Sequence, residues 1–227
     1  MAQEIDGKIY QVADLEEIRR QQLDVLQKDA GNADAIVELV CADALLCEEY
    51  IMDFGPSWKN AALCREIAKY IPAIIEDEEK RVMAGNVCHR ARMALYDHPR
   101  LSLRLMELER EAIEGVGDDR AEDLEMGIDP LNAEITRYAL NIMAADQKRF
   151  DDIEEDGHLR KDPIEWTAEY EEVIAEADEK AHALLADEPR GMGFCFVYWP
   201  TLQRILFQDY GIRWRSPAEM NPGVIFD

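Results

Sequence analysis

The feature that most constrains the fold of this chain is the spacing of its apolar residues over positions 1–190. They recur three or four residues apart, as on one face of an α-helix. One such series consists of Ile36, Val40, Ala44, Cys47 and Ile51. Several series follow one another with short connections, which favours helices that neighbour each other in space. The sequence therefore predicts an all-α fold, an antiparallel multi-helix bundle of about six long helices.

Capping residues, glycine and proline predict where these helices begin and end. The predicted start signals are Asp14, Asp34, Ser57, Asp97-Pro99, Asp129-Pro130 and Asp162-Pro163, and the stops include Gly31-Asn32, Gly55-Pro56 and Gly115. Pro72 either kinks the third helix or lies in the first turn of a new helix that reaches about Tyr96. Strand signals occur at 8–12 and 194–198, and these two segments are candidates for a small ribbon.

The last 37 residues, 191–227, differ in chemistry from the rest. They hold eight of the chain's 4 Trp, 8 Tyr and 6 Phe residues, and three arginines balance three acids. A disordered tail would lack such aromatic density. A short helix from about Pro200 to Tyr210 is predicted, ended by Gly211, and Ser216 has the spacing of a capping box with Glu219. The domain prediction is an acidic bundle over 1–190 with a compact aromatic segment, 191–227, packed on it as one domain.

This C-terminal segment is the preferred site of recognition. Aromatic and arginine side chains are enriched among the residues that dominate binding interfaces. The candidate binding residues are Tyr198, Trp199, Arg204, Tyr210, Arg213, Trp214 and Arg215. The alternative is that the aromatics anchor the segment to the bundle while the arginines pair with its acids. The preferred function is a non-enzymatic module that binds another protein.

The charge of the chain excludes two classes of partner. With 49 acidic and 25 basic residues the formal net charge is −24. Phosphate contacts require clustered Lys and Arg, so neither nucleic acid nor an anionic membrane is an expected partner. An acidic mimic of DNA, which would occupy a DNA-binding protein, stays open as an alternative. The remaining acids are interpreted as solvated helix faces.

Divalent metals are the basis of a second alternative, a Mg²⁺- or Ca²⁺-dependent hydrolase with helical carboxylate ligands. The acid-rich helices resemble those of all-α nucleotide pyrophosphohydrolases in composition, but the expected pair of acidic motifs is not clear. The candidate ligands are Glu76 and Glu79, with Glu49 and Asp53 as a further acidic pair.

The acidic loop 152–159 partly matches a calcium loop. Asp152 and Asp156 take two of its carboxylate positions, but Pro163 stands where a bidentate glutamate belongs. Two Glu-x-x-His pairs, Glu155/His158 and Glu179/His182, fit a di-iron site only in spacing. The preferred prediction is that the chain holds no metal, and no motif identifies a cofactor.

The cysteines and the N-terminus predict a soluble protein of the cytoplasm. Five cysteines without a Cys-x-x-Cys pair are typical of reduced thiols among apolar neighbours. The first residues lack the basic and apolar regions of a signal peptide, and no apolar run approaches the roughly 20 residues that span a bilayer. No motif defines an oligomeric state.

Overall fold

The computed structural model describes residues 3–5, 8–52, 55–155, 157 and 159–226. These residues form a helical fold preceded by a two-stranded antiparallel hairpin, β1 (Gln3–Ile5) and β2 (Lys8–Tyr10). The helices of the described residues are α1 (Val12–Leu26), α2 (Ala33–Ile51), α3 (Asn60–Tyr70), α4 (Arg81–Met93), α5 (Pro99–Ile113), α6 (Ile128–Asp146), α7 (Ala168–Leu184), α8 (Cys195–Tyr210) and α9 (Pro217–Met220). None of them is long and apolar enough to cross a membrane.

The chain divides into two compact units. Unit 1 comprises Met1–Tyr96 and Leu101–Thr136, and unit 2 comprises Asp97–Arg100 and Arg137–Asp227. The sequence places its boundary at 190/191, whereas the units divide at 136/137 and around the start of α5. Helix α8 packs against α7, so the C-terminal segment shares a unit with the last helix of the predicted bundle.

Helix α2 is the centre of unit 1. It packs against α1, α3 and α4, and it buries residues on almost every side, as an apolar helix surrounded by others must. Asn60 fixes one of these contacts, because its side-chain amide donates to the carbonyl oxygens of Cys47 and Ala94 at 2.9 and 3.0 Å. The Sγ atoms of Cys47 and Cys64 lie 3.9 Å apart in this core. All five cysteines are free thiols.

Unit 1 also buries charged groups as ion pairs. Arg92 is 3% exposed, and its Nε lies 2.7 Å from an oxygen of Glu109, which is 2% exposed. The same guanidinium contacts Glu134 at 3.0 Å and His89 at 3.1 Å. A buried carboxylate of this kind requires a partner charge, because desolvation strongly disfavours its ionised form.

The buried carboxylate of Asp43, in the same unit, has a hydrogen-bond partner for only one of its two oxygens within the described part of the chain. One of its oxygens accepts from Arg19 Nε at 2.9 Å, and the other has no hydrogen-bond partner among the described residues. Burial, with the nearby charge of Glu66, raises the pKa of Asp43 to about 8, although Arg19 opposes the shift.

The second alternative predicted for Pro72, the start of a new helix, is wrong. Pro72 lies in a 3-10 turn, Ile71–Ala73, directly after α3, and the chain then buries Ile74. The Asp77 side chain accepts from the Glu79 backbone N–H and opens a second short turn, after which α4 starts at Arg81.

The strand predicted for 194–198 is also wrong, since these residues lie at the start of α8. The rings of Phe194 and Tyr198 stack 5.9 Å apart, and both contact the His182 ring of α7. Residues four apart come this close only in a helix, because a strand would separate them by about 13 Å. Pro200 lies inside α8 rather than at its beginning.

Other predicted signals of the segment are confirmed. Gly211 has a left-handed conformation, with φ of 72°, and ends α8. Ser216 and Glu219 form a reciprocal capping box at α9. Before this segment, the predicted start signal Asp162-Pro163 opens a 3-10 turn, Pro163–Trp166, rather than a helix, and Thr167 then caps α7. These caps fix the ends of the helices and turns in unit 2 that carry the candidate binding residues.

Candidate functional site

Two of the candidate binding residues are engaged by carboxylates beside α7. Trp214 is buried, and its indole Nε1 donates to an oxygen of Glu165 at 2.8 Å. Arg215 contacts Asp162 through its backbone N–H at 2.7 Å and through its guanidinium at 3.1 Å. Both contacts join the C-terminal segment to the turn before α7, so these side chains have a structural role in unit 2.

The two tyrosines contact α7 directly. The Tyr198 hydroxyl donates to Asp178 at 2.6 Å, and the Tyr210 hydroxyl accepts from Lys180 Nζ at 2.9 Å. Burial raises the pKa of Tyr198 well above its ordinary value, and the adjacent charge of Asp178 adds to this shift. The phenol therefore stays protonated as a donor.

The other three candidates face outward or pack on aromatic rings. Trp199 contacts the ring of Phe226 edge to face, with centroids 5.1 Å apart. Arg204 is exposed on α8, and the guanidinium of Arg213 lies over the ring of Phe207 at 5.3 Å. The structure thus separates Arg204 and Arg213 from the residues that hold α8 in place.

Helix α8 has a buried face and an exposed apolar face. Leu202, Ile205 and Leu206 belong to the core that α8 shares with α7. Phe196 and Phe207 are 59% and 52% exposed. We call Phe196, Pro200 and Phe207 the outer face of α8, since at 100° per residue they lie within about 40° of one another on the helix.

A pocket of about 160 Å³ opens elsewhere in unit 2. Its walls combine three aromatic rings, charges of both signs and apolar side chains. The lining residues are Arg137, Tyr138, Phe150, Ile153, Glu154, Glu155, Leu159, Lys161, Pro163 and Trp166. The rings of Tyr138 and Trp166 meet edge to face at 5.0 Å. The guanidinium of Arg137 lies 5.1 Å from the Tyr138 ring centre.

Two buried asparagines hold the loop that forms one wall of this pocket. The Asn141 side chain exchanges two hydrogen bonds with the backbone of Glu154, at 2.8 and 2.9 Å. The Asn221 side chain does the same with the backbone of Arg160. Because each amide satisfies both a donor and an acceptor of the main chain, the wall is fixed near each end.

Buried acids lie next to the pocket in sequence and in space. Burial raises the pKa of Glu165 to about 7, and the charge of Asp97 adds to the shift. Burial raises the pKa of Asp97 as well. Lys161, which lines the pocket, opposes both shifts through its charge. Strongly shifted carboxyl groups of this kind are concentrated at functional sites, although structural networks produce them too.

The metal candidates of unit 1 are not brought together. Glu76 and Glu79 are exposed, whereas Glu49 is buried in α2. Asp53 lies outside the described residues. A hydrolytic metal centre requires carboxylates that converge from two helices, and the exposure of Glu76 and Glu79 gives this hypothesis no support.

The described residues of the acidic loop 152–159 are not arranged as metal ligands either. Asp152 is exposed and pairs with Arg149 three residues earlier. Asp156 and His158 lie outside the described residues. Across 8–52, 55–155, 157 and 159–226, no group of three or more His, Cys, Asp or Glu residues is placed to hold a metal ion.

The remaining Glu-x-x-His pair is a surface feature of α7. Glu179 is exposed. His182 lies 3.3 Å from Asp178 through Nε2, and its Nδ1 lies 2.6 Å from Arg190. These contacts occupy both ring nitrogens, and the ring itself packs on Tyr198 of α8 with centroids 5.2 Å apart.

Sequence reasoning missed the pocket. None of the motifs that it used includes Tyr138, Trp166, Lys161 or Glu165. One available signal was Asn141, a polar residue beside Ile142 on the predicted stripe of α6, which is 1% exposed. A buried amide must be hydrogen-bonded, and it therefore indicated that an irregular segment packs there.

No protein-family model matches this chain, and neither a curated protein nor a solved structure was found to match it. Function is therefore inferred from the outer face of α8 and from the pocket themselves, since a helical fold alone supports many activities.

Proposed function

We propose that this protein is a non-enzymatic binding module that docks another protein on the outer face of α8. The observation that carries the proposal is the exposure of two phenylalanines, Phe196 and Phe207, on the side of α8 opposite its buried leucines. Single exposed apolar residues are common, but an aligned aromatic pair on one helix is typical of contact surfaces.

Two arginines define the chemistry of the partner. Arg204 is exposed on α8 close to Phe207, and Arg213 covers the Phe207 ring. Arginine beside an aromatic ring is a frequent combination at the energetic centre of an interface. The partner that fits is an amphipathic segment with apolar side chains for the two phenylalanines and carboxylates for the two arginines.

Charge favours this face over the rest of the surface for such a partner. The entire net charge of −24 belongs to residues 1–190, because segment 191–227 carries three positive and three negative side chains. A carboxylate-bearing segment is repelled less at α8 than at the acidic helices.

The other candidate residues have a structural role in the proposal. The C-terminal segment is held to α7 and to the turn before it by four of them, Tyr198, Tyr210, Trp214 and Arg215. We assign partner contact to Arg204 and Arg213, with Trp199 at the margin. We also propose that neighbouring helices run antiparallel, because the connections between them are short. The five free thiols support a reducing, cytoplasmic setting.

The test compares matched serine variants in affinity capture. A partner isolated with the wild-type chain is purified and titrated against Phe196→Ser/Phe207→Ser and against Met93→Ser, which removes an exposed apolar residue of α4. We expect binding at least about tenfold weaker for the α8 variant and unchanged for Met93→Ser. Arg204→Glu should weaken binding as well.

Equal affinity of the α8 variant and the wild type would contradict the proposal. Light scattering adds a second decisive outcome. If the wild type forms a dimer that Phe196→Ser/Phe207→Ser abolishes, the occupant of this face is a second copy of the chain rather than another protein.

A further inference from the structure

The pocket of unit 2 differs from the outer face of α8 in that it is concave and carries both charges. Two acids, Glu154 and Glu155, and two cations, Arg137 and Lys161, line it together with aromatic rings. The formal charges of the lining cancel. A ligand with a single charge would therefore bring a like charge close to two of these groups, whichever sign it had.

The placement of the acidic wall is fixed by the fold. Asn141 holds the backbone of Glu154 on both its N–H and its C=O, and Arg160 pairs with Glu155 at 3.2 Å. Glu154 is therefore the carboxylate better suited to a ligand, since Glu155 already has a cation beside it.

The opposite charge comes from Lys161. This residue lines the pocket, and its positive charge also lowers the pKa of the neighbouring acids Asp97 and Glu165. Arg137 contributes a second cation, placed over the face of Tyr138. The same pocket is lined by the rings of Tyr138 and Trp166, whose faces and edges suit aliphatic groups and ammonium groups.

The size of the pocket limits the ligand to a small molecule. Its volume is about 160 Å³, and a short carbon chain with two charged ends fits this space.

We propose that this pocket binds a small aliphatic zwitterion, with its ammonium group towards Glu154 and its carboxylate towards Lys161. The class includes α-amino acids and methylated ammonium carboxylates, which share one ammonium and one carboxylate on a short chain. This site is independent of the docking face of α8 and adds a small-molecule ligand to the proposed function.

The test is isothermal titration of the full chain with two zwitterions, L-leucine and glycine betaine. The controls are 3-methylbutylamine and 4-methylpentanoate, which are leucine without its carboxylate and without its ammonium group. At least one zwitterion should bind, and each one-charge analogue should bind at least about tenfold more weakly than leucine, or than betaine if leucine does not bind.

Variants then locate the site. Glu154→Gln should weaken zwitterion binding about tenfold or more, since it keeps the shape and removes the charge. Glu172→Gln on the exposed side of α7 is the matched control and should change nothing. Lys161→Met should weaken binding too, and its thermal unfolding separates this effect from a loss of folding.

Three results would overturn the proposal. They are the absence of binding for both zwitterions, a one-charge analogue that binds as tightly as the zwitterion, and full affinity in Glu154→Gln. None of these results affects the prediction for Phe196→Ser/Phe207→Ser, so the two sites are tested separately.

Discussion

Two buried glutamates, one in each unit, have different partners. In unit 1, Glu109 lies against the guanidinium of Arg92. In unit 2, Glu165 accepts from the neutral indole of Trp214. A neutral donor satisfies hydrogen bonding but leaves the charge of the acid uncompensated.

This difference associates the cluster around Glu165, rather than the one around Arg92, with function. The Arg92 network is explained by the stability of unit 1 alone, because each buried charge has a partner. The acids of unit 2 lie beside a pocket, and burial raises the pKa of Glu165 to about 7. Shifted carboxyl groups beside a pocket are concentrated at functional sites, whereas Asp43 of unit 1, whose pKa is also raised, lies in a helical core.

The largest effect is expected when the cation beside Glu109 in unit 1 is removed. Arg92→Met leaves Glu109 buried without its main counter-charge, and it should lower the free energy of unfolding by about 3–5 kcal/mol. Arg90→Met on the same helix is the control, since Arg90 is 39% exposed and pairs with Glu48 at the surface. It should cost less than about 1 kcal/mol in the same urea titration. Equal losses would show that the pairing of Arg92 is not what stabilises unit 1.

The complementary test removes the acid of unit 2. The pKa of Glu165 in the folded chain, about 7, lies above its ordinary value of 4.5. This carboxyl therefore contributes stability that is complete below pH 4.5, is lost as the pH rises to 7, and changes no further above it. Glu165→Gln keeps the acceptor for Trp214 and avoids the loss. It should match the wild type near pH 4 and exceed it by about 3 kcal/mol at pH 8, at about 1.4 kcal/mol per pKa unit.

Urea unfolding at a series of pH values measures this difference. Glu169→Gln is the control, because Glu169 is an exposed acid in the first turn of α7. Its stability relative to the wild type should not grow with pH. A Glu165→Gln variant without pH dependence relative to the wild type would remove the contrast between the units.

The sequence predicted local features better than contacts across the chain. The helical spacing of α2, the Asp-Pro start near α6, and the stop at Gly211 are confirmed, since each depends on residues within a few positions. The strand prediction at 194–198 failed because aromatic residues favour strands, while packing on His182 selects a helix.

The candidate site was less predictable for the same reason. The bond between Trp214 and Glu165 joins residues 49 positions apart, and Asn221 holds Arg160 over 61 positions. Composition indicated that 191–227 would be folded, but it gave no information on which carboxylate each donor would contact. The separation of Arg204 and Arg213 from Arg215 likewise depends on where Asp162 lies.

A smaller effect tests the indole donor itself. Trp214→Phe keeps an aromatic ring but removes the N–H that Glu165 accepts, and it should cost about 1–3 kcal/mol. The indole lowers the pKa of Glu165 by favouring its ionised form, so the cost should be larger at pH 8 than at pH 5. Trp199→Phe is the control, because Trp199 packs edge to face on Phe226. In urea unfolding, Trp199→Phe should lower stability less than Trp214→Phe does, and by the same amount at both pH values. A loss of stability in Trp214→Phe that does not depend on pH would contradict the proposed role of the hydrogen bond to Glu165.

The smallest expected effect compares helix starts in the two units. The sequence predicts a helix start at Ser57 and a capping box at Ser216, and Ser216 accepts from the N–H of Glu219 three residues on. At Ser57 the capping position is Pro56, and no side chain caps the turn. Ser216→Ala should therefore lower stability by about 1 kcal/mol, and Ser57→Ala should leave it unchanged in thermal unfolding. A similar loss of stability in both variants would mean that the Ser216 cap contributes no more to unit 2 than Ser57 contributes to unit 1.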